Sequence, residues 1–303
     1  MMRPFKITLA GSLFILMHLA CFAVFWTGIN VDAVALCAFM FFVRKFGITG
    51  GFHRYFSHRS YKTGRFFQFC LAFIGGAAAQ KGALWWAAHH RHHHKHSDTE
   101  QDIHSAKLEG FYWSHAGWVL SQEYDDYDPQ AVRDLSKYPE LVWLDKYIFI
   151  PPIVAGAFCF FLGHFWFGNG MMGLVVGFFM STVILYHTTF AINSLCHMFG
   201  KRRYATGEES RNSLWLALLT MGEGWHNNHH HYPLSARQGF FWWEIDLTYY
   251  VLLGLEKLGL VWSLQSPPPR MLEPGALTGR DSAKAEKPEH AAAGALAGFS
   301  ARQ

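Results

Sequence analysis

The chain has 303 residues and a formal net charge of +4. Hydrophobic residues make up 51% of it and aromatics 17%, while charged residues reach only 16%, against roughly 25% in soluble domains. That balance excludes an ordinary water-soluble domain, points to a membrane protein, and gives no reason to expect a nucleic-acid partner.

The first apolar run, 7–26, follows Arg3 and Lys6. It is close to the ~20 residues needed to cross a bilayer, and it is longer than a signal-peptide core, with no small-residue cleavage pattern after it. It therefore reads as a retained span. A second run covers 31–46, followed by Gly47, Gly50 and Gly51 and the histidine pair His53 and His58. Residues 66–83 are apolar but interrupted by Gly75, Gly76, Gln80, Lys81 and Gly82, which reads as an interfacial or protein-buried helix. Residues 98–146 are polar and mixed. Two further spans are expected at 147–167 and 171–195, separated by Gly168-Asn169-Gly170. Residues 240–264 read as a second interfacial helix, and from Gln265 the composition predicts a disordered tail.

The 27–30 and 168–170 turns carry no Lys or Arg, whereas Arg3, Lys6, Arg44, Lys45, Arg54, Arg59, Lys146, Lys201, Arg202 and Arg203 fall at the opposite ends. By the positive-inside rule this predicts an all-α membrane protein with four transmembrane helices in two hairpins. Both termini and a helical lobe (53–146 and 197–264) lie in the cytoplasm, in the expected setting of a bacterial inner membrane. Residues 1–264 would form the membrane domain and 265–303 the tail. The five cysteines lie in or beside apolar segments without CxxC spacing, and read as small buried hydrophobes.

Six histidines crowd into 89–96. Among them His90, His93 and His94 stand at i, i+3 and i+4, one face of a helix. The same spacing returns as His226, His229 and His230, and Asn193 and His197 are four apart at the end of the last span. Imidazole is a common ligand for iron, zinc, copper and nickel, so two such triplets predict a site for more than one metal ion. Of the other histidines, His18, His164 and His187 read as packed or hydrogen-bonded residues in spans. His89, His92 and His96 are expected to face solvent or to support ligands, and His231 and His290 have no evident role. His104 and His115, with Asp98, Glu100, Asp102 and Glu223, are candidates to hold the second nitrogen of a ligating ring. The Trp85-Trp86 and Trp242-Trp243 pairs read as interface anchors.

In the strings GITGGFHRYFSHRSYKT, HHRHHHK with GFYWSHAGW, INSLCH and GEGWHNNHHHYP, the chain resembles the membrane fatty-acid desaturases of the stearoyl-CoA type, acyl-lipid enzymes included, and HHRHHHK is similar to their bacterial members. The resemblance runs from about residue 5 to about 262. It implies two irons held by nine histidines. His53, His58, His90, His94 and His229 would take one iron and His93, His197, His226 and His230 the other, with Asn193 reaching a metal through water. It implies an O₂-dependent Δ9 acyl desaturase, with Gln80, Trp86 and Thr189 at the bend of a substrate tunnel. Electrons would come from a cytochrome b5, ferredoxin or rubredoxin type of protein with its reductase, since the chain has no flavin, haem or iron–sulfur motif of its own.

The acyl carrier is open between CoA and a phospholipid. Where acyl-CoA enzymes of the family carry charged pairs, this chain has Ala88-His89 and Gln122-Glu123, and Phe190 replaces a tunnel Trp; Lys81, Arg91 and Lys107 are the cations that could compensate. Two other functions compete with desaturation. A lipid hydroxylase would use the same scaffold. A histidine-rich metal transporter would need ionisable groups inside the spans, where only His18, His164 and His187 are found.

Overall fold

The computed structural model describes residues 8–273, and the chain there is mostly helical. Helix α1 (Leu9–Cys21) starts where the Thr8 hydroxyl accepts the Gly11 N–H at 2.8 Å, and continues through a turn into Val24–Thr27. Helix α2 (Val31–Phe46) starts at Asn30, whose side chain accepts the Ala33 N–H at 2.7 Å. Such caps satisfy amide groups that have no partner inside the helix. Without a break, α2 runs on into a π-helical segment, Gly47–Ser57. Helix α3 (Arg65–Gly76) packs against that segment so closely that a Cβ on Gly47 would lie 2.5 Å from the Gly75 nitrogen. This is the protein-buried alternative for 66–83. Helix α4 (Ala83–His96) follows.

Helix α5 (Ile150–Phe167) and the continuous apolar stretch Gly170–Met198 are long and apolar enough to cross a membrane. Gly168, at φ 69°, closes α5, and Asn169 starts the return by accepting the Met172 N–H at 2.9 Å. The return is π-helical over Gly173–Met180 and α-helical in α6 (Ser181–Asn193). Its first turns press on α5, where a Cβ on Gly163 would meet the Gly173 Cα at 2.7 Å. The Asn169 amide also donates to the Thr27 carbonyl at 3.3 Å, so the two uncharged turns lie side by side.

Several expectations change. Arg44 and Lys45 do not present charge at a helix end; both are buried. Arg44 donates to the carbonyls of Met40 and Ala77 and to the hydroxyls of Thr182 and Ser181. The expected helix over 240–264 shrinks to α8 (Leu247–Lys257), the histidine-bearing turn His226–His231 being α7. Asp246 sets its start by accepting the Tyr249 N–H at 3.0 Å, and Gly259, at φ 71°, ends the turn after it. Beyond lies strand β2 (Val261–Trp262), antiparallel to β1 (Lys62–Thr63). Trp242 and Trp243 are exposed, as an interface anchor requires, but Trp85 is buried, its indole N–H donating to the Tyr124 carbonyl at 2.9 Å. The segment read as tail begins with ordered contacts. Gln265 donates its N–H to the Ser60 carbonyl, and the buried Met271 accepts from His231 through its carbonyl at 3.0 Å. Residues 274–303 lie outside the described residues.

Candidate metal centre and acyl cavity

The π-helical segment explains the spacing of the first histidine pair. On an α-helix residues five apart diverge by about 140°, but π-helical hydrogen bonds run between residues five apart. The His58 N–H donates to the His53 carbonyl at 3.2 Å, and the two imidazoles meet with centroids 4.9 Å apart. Helix α4 supplies His90 and His94 on one face. Arg91, on the next position round, is tied to the Phe56, Ser57 and Ala131 carbonyls and to Asp134, which also holds Arg59. The first and second histidine clusters are thereby fixed to each other. Arg54, fully buried, anchors the third segment by pairing with Glu223 and Asp246 at 3.0 Å each.

Two groups of imidazole nitrogens result. His53, His58, His90, His94 and His229 form one, and His93, His197, His226 and His230 the other, the candidate ligand atoms of each lying within 4.8 Å of one another. Within the first, the Nε2 atoms of His53 and His229 are 3.0 Å apart, those of His58 and His90 2.8 Å, and those of His94 and His229 2.8 Å. In the second, the His226 Nε2 lies 3.1 Å from the Nε2 of both His197 and His230.

The outer nitrogens face carboxylates. His53 Nδ1 meets Glu223 at 2.5 Å, His93 Nδ1 meets Asp102 at 2.9 Å, and His197 Nδ1 meets Asp98 at 3.4 Å. A proton placed on Nδ1 leaves Nε2 as a lone pair, so lone pairs face lone pairs across each group. A cation between them removes that repulsion, and the donor set therefore fits a metal ion in each. Burial first, and neighbouring imidazoles second, push His90, His94, His226, His229 and His230 well below the usual imidazole range, which keeps them neutral. Burial alone would raise the Glu223 carboxyl, but His53 and Arg54 outweigh it and hold it down at about 2.

Glu208 was not legible in the sequence; it lies 3.8 Å from His197 Nδ1 and 3.7 Å from His230 Nδ1. It is in a loop with no periodic signal and reaches the site only through the tertiary fold. Glu100 is exposed. His104 packs on His93 at 4.3 Å, whereas His115 does not support a ligand: it forms an end-to-end chain with His187 and His18, each link 3.0 Å. His89 is buried rather than solvent-facing, its ring meeting the Trp85 carbonyl, and burial pushes it down to about 4.

A cavity of about 980 Å³ leads to this centre. Phe14, Met17, Phe160 and Phe178 line its apolar part, and Gln80, Trp86, His90, Thr189 and Asn193 line it near the imidazoles. Trp86 stacks on His90 with centroids 4.9 Å apart. At another part of the lining Lys81 lies over the Trp85 ring and pairs with Asp125 at 2.7 Å. An elongated apolar chain with no functional group is what such a lining accepts.

The fatty acid desaturase family model matches residues 8–263. The chain is 38% identical over 264 residues to an sn-1 stearoyl-lipid 9-desaturase of Anabaena variabilis, covering 86% of this chain and 94% of the relative. It is 35% identical to a hex-5-enoyl-[acyl-carrier protein] acetylenase of Moorena producens (82% and 81% covered) and 35% identical to an icosanoyl-CoA 5-desaturase of Limnanthes douglasii (88% and 74% covered). The chain belongs to the fatty acid desaturase family, and it is an oxidoreductase that desaturates fatty acyl chains.

Proposed function

We propose that the protein inserts a cis double bond at the Δ9 position of a saturated acyl chain esterified to a membrane lipid, using O₂ and two irons. The observation that carries this reading is the apolar cavity that reaches His90, a member of the first of two convergent imidazole groups backed by carboxylates. Iron bound there supplies the one-electron oxidising power that an unactivated methylene demands. The protein's part is to hold nine imidazoles in register, to seat the acyl chain against Trp86, Gln80 and Thr189, and to keep water out with the aromatic lining. Asn193, at the end of α6 and on the cavity lining, would hold a water at the centre.

The carrier is read from the cavity surroundings. The three cations able to receive CoA phosphates are each engaged by a carboxylate: Lys81 by Asp125, Arg91 by Asp134 and Lys107 by Glu209. Charge-assisted phosphate contacts contribute about 1.5–3 kcal/mol each, so their loss favours the lipid ester. The sn-1 stearoyl-lipid relative supports the same carrier. In this reading α1, α2, α5 and the stretch ending in α6 span the bilayer as two hairpins, and the histidine lobe faces a cytoplasmic electron-donor protein.

Expression in a host that makes no unsaturated lipid from saturated chains, followed by lipid mass spectrometry, tests this. A Δ9 alkene in glycerolipids is expected, and His93→Ala is expected to abolish it with loss of iron. Hydroxylated chains in place of alkene would make the protein a hydroxylase.

A further inference from the structure

Lys45 is fully buried in α2. Its neighbour Arg44 is satisfied four ways, but the Lys45 ammonium has one hydrogen bond, to the Thr189 hydroxyl at 3.0 Å, and no ion pair among the described residues. The ionisable groups that face it are Glu223 and Cys196. A buried ammonium so sparsely partnered is costly, which directs attention to what it does for Thr189.

Thr189 differs from the other hydroxyls of its helix. Thr182, Thr188 and Ser194 each donate their hydrogen to a backbone carbonyl three or four residues back, the usual use of a helical hydroxyl. Thr189 instead accepts twice, from Lys45 Nζ at 3.0 Å and from Gln80 Nε2 at 3.3 Å. A hydroxyl has two acceptor sites and one hydrogen. Both acceptor sites are filled, and the hydrogen has no acceptor among the described residues. Thr189 also lines the cavity that His90 and Asn193 line.

We propose that Thr189 is a proton donor in desaturation and that Lys45 resupplies it. The inference rests on the desaturase reading above. Removing two hydrogens from adjacent methylenes while O₂ becomes two waters consumes two electrons from the external donor and two protons. In the proposed step the Thr189 O–H bond breaks and its proton goes to the oxygen being reduced. A Lys45 N–H bond breaks and that proton goes to the Thr189 oxygen. The neutral amine regains a proton from solvent before the next transfer. Gln80 holds the hydroxyl in place and stabilises the negative charge that develops on it.

Two measurements test this. On purified iron-loaded protein without an electron donor, a phosphatidylcholine whose acyl chain bears a mid-chain ketone is compared in binding with the plain stearoyl lipid. The free O–H should favour the ketone by about tenfold, and Thr189→Val should erase the preference while Thr189→Ser keeps it. Under turnover, Lys45→Met and Thr189→Val should each slow alkene formation roughly 10²-fold. Both should raise the solvent isotope effect and divert donor electrons to peroxide, and the double variant should be no worse than the poorer single one. Lys45→Met removes a buried charge, and Thr189→Val is close in shape, so either variant alone keeps the test available if the other fails to fold. An unchanged isotope effect and full coupling in Lys45→Met, or a ketone preference that survives Thr189→Val, overturns the proposal. A wild-type protein that makes no alkene overturns the desaturase reading instead.

Discussion

Asp102 has one oxygen on His93 Nδ1 at 2.9 Å and the other on the Asp98 N–H at 2.8 Å. It is thus a fixed acceptor that selects the His93 tautomer. Partners of this kind typically govern 10–100-fold in metal affinity. Asp102→Asn is therefore expected to lose iron about 10–100-fold more readily, read by elemental analysis after timed exposure to a chelator. Asp134 gives a prediction in pH. Burial tends to raise its carboxyl, but Arg91 and Arg59 outweigh it and bring it from 3.8 to about 2. A depressed carboxylate contributes stability that is complete above its unfolded value and is lost as pH falls between the two. Wild type should therefore lose this increment between pH 3.8 and about 2, and Asp134→Asn should show no matching step in thermal unfolding over that window. Asp134 is 40% exposed, so solvent screening keeps the step small. The residues themselves were partly legible beforehand. Asp102 follows His93 closely in sequence, and the triplets His90, His93, His94 and His226, His229, His230 announce themselves by helical spacing, whereas the full set of nine came from the resemblance and Asp98 meets His197 from 99 positions away. Glu208, Asp134 and the burial of Lys45 depend on contacts between distant segments, which spacing does not encode.

The segment Gly47–Ser57 shows where element-level reading stops. Hydropathy located α2 as an apolar run, but nothing in the pattern distinguishes an α from a π continuation, because glycine and aromatic positions suit both. Its length is nevertheless under tight constraint. Deleting Gly51 would shift the following side chains round by one helical position if the helix stayed continuous, turning His53 and His58 away from His90 and His229. The expected outcome is a folded protein that retains less than half of its iron, with elemental analysis and circular dichroism as the two measurements. The 240–264 run failed as one helix for a different reason. Its aromatic content gave one apolar signal, while Asp246 and Gly259 place the boundaries of a shorter helix inside it.

At the scale of the molecule, the contact between Asn169 and Thr27 puts the two uncharged turns at one end, and the histidine lobe is built from the chain beyond the opposite ends of the same helices. With the five native cysteines replaced, an impermeant thiol reagent on intact cells is expected to label Asn169→Cys and not the exposed position Glu100→Cys. The reverse pattern would invert the proposed orientation. The nitrogen groups add a constraint in time. His53 meets His229 across 176 positions of sequence, and His197 meets His226 across 29. Neither group is complete before His229 and His230 have left the ribosome and α7 has docked. A chain stalled or cleaved before α7 therefore carries most of these histidines yet completes neither group. Completion of either nitrogen group is thus tied to synthesis of the chain as far as α7.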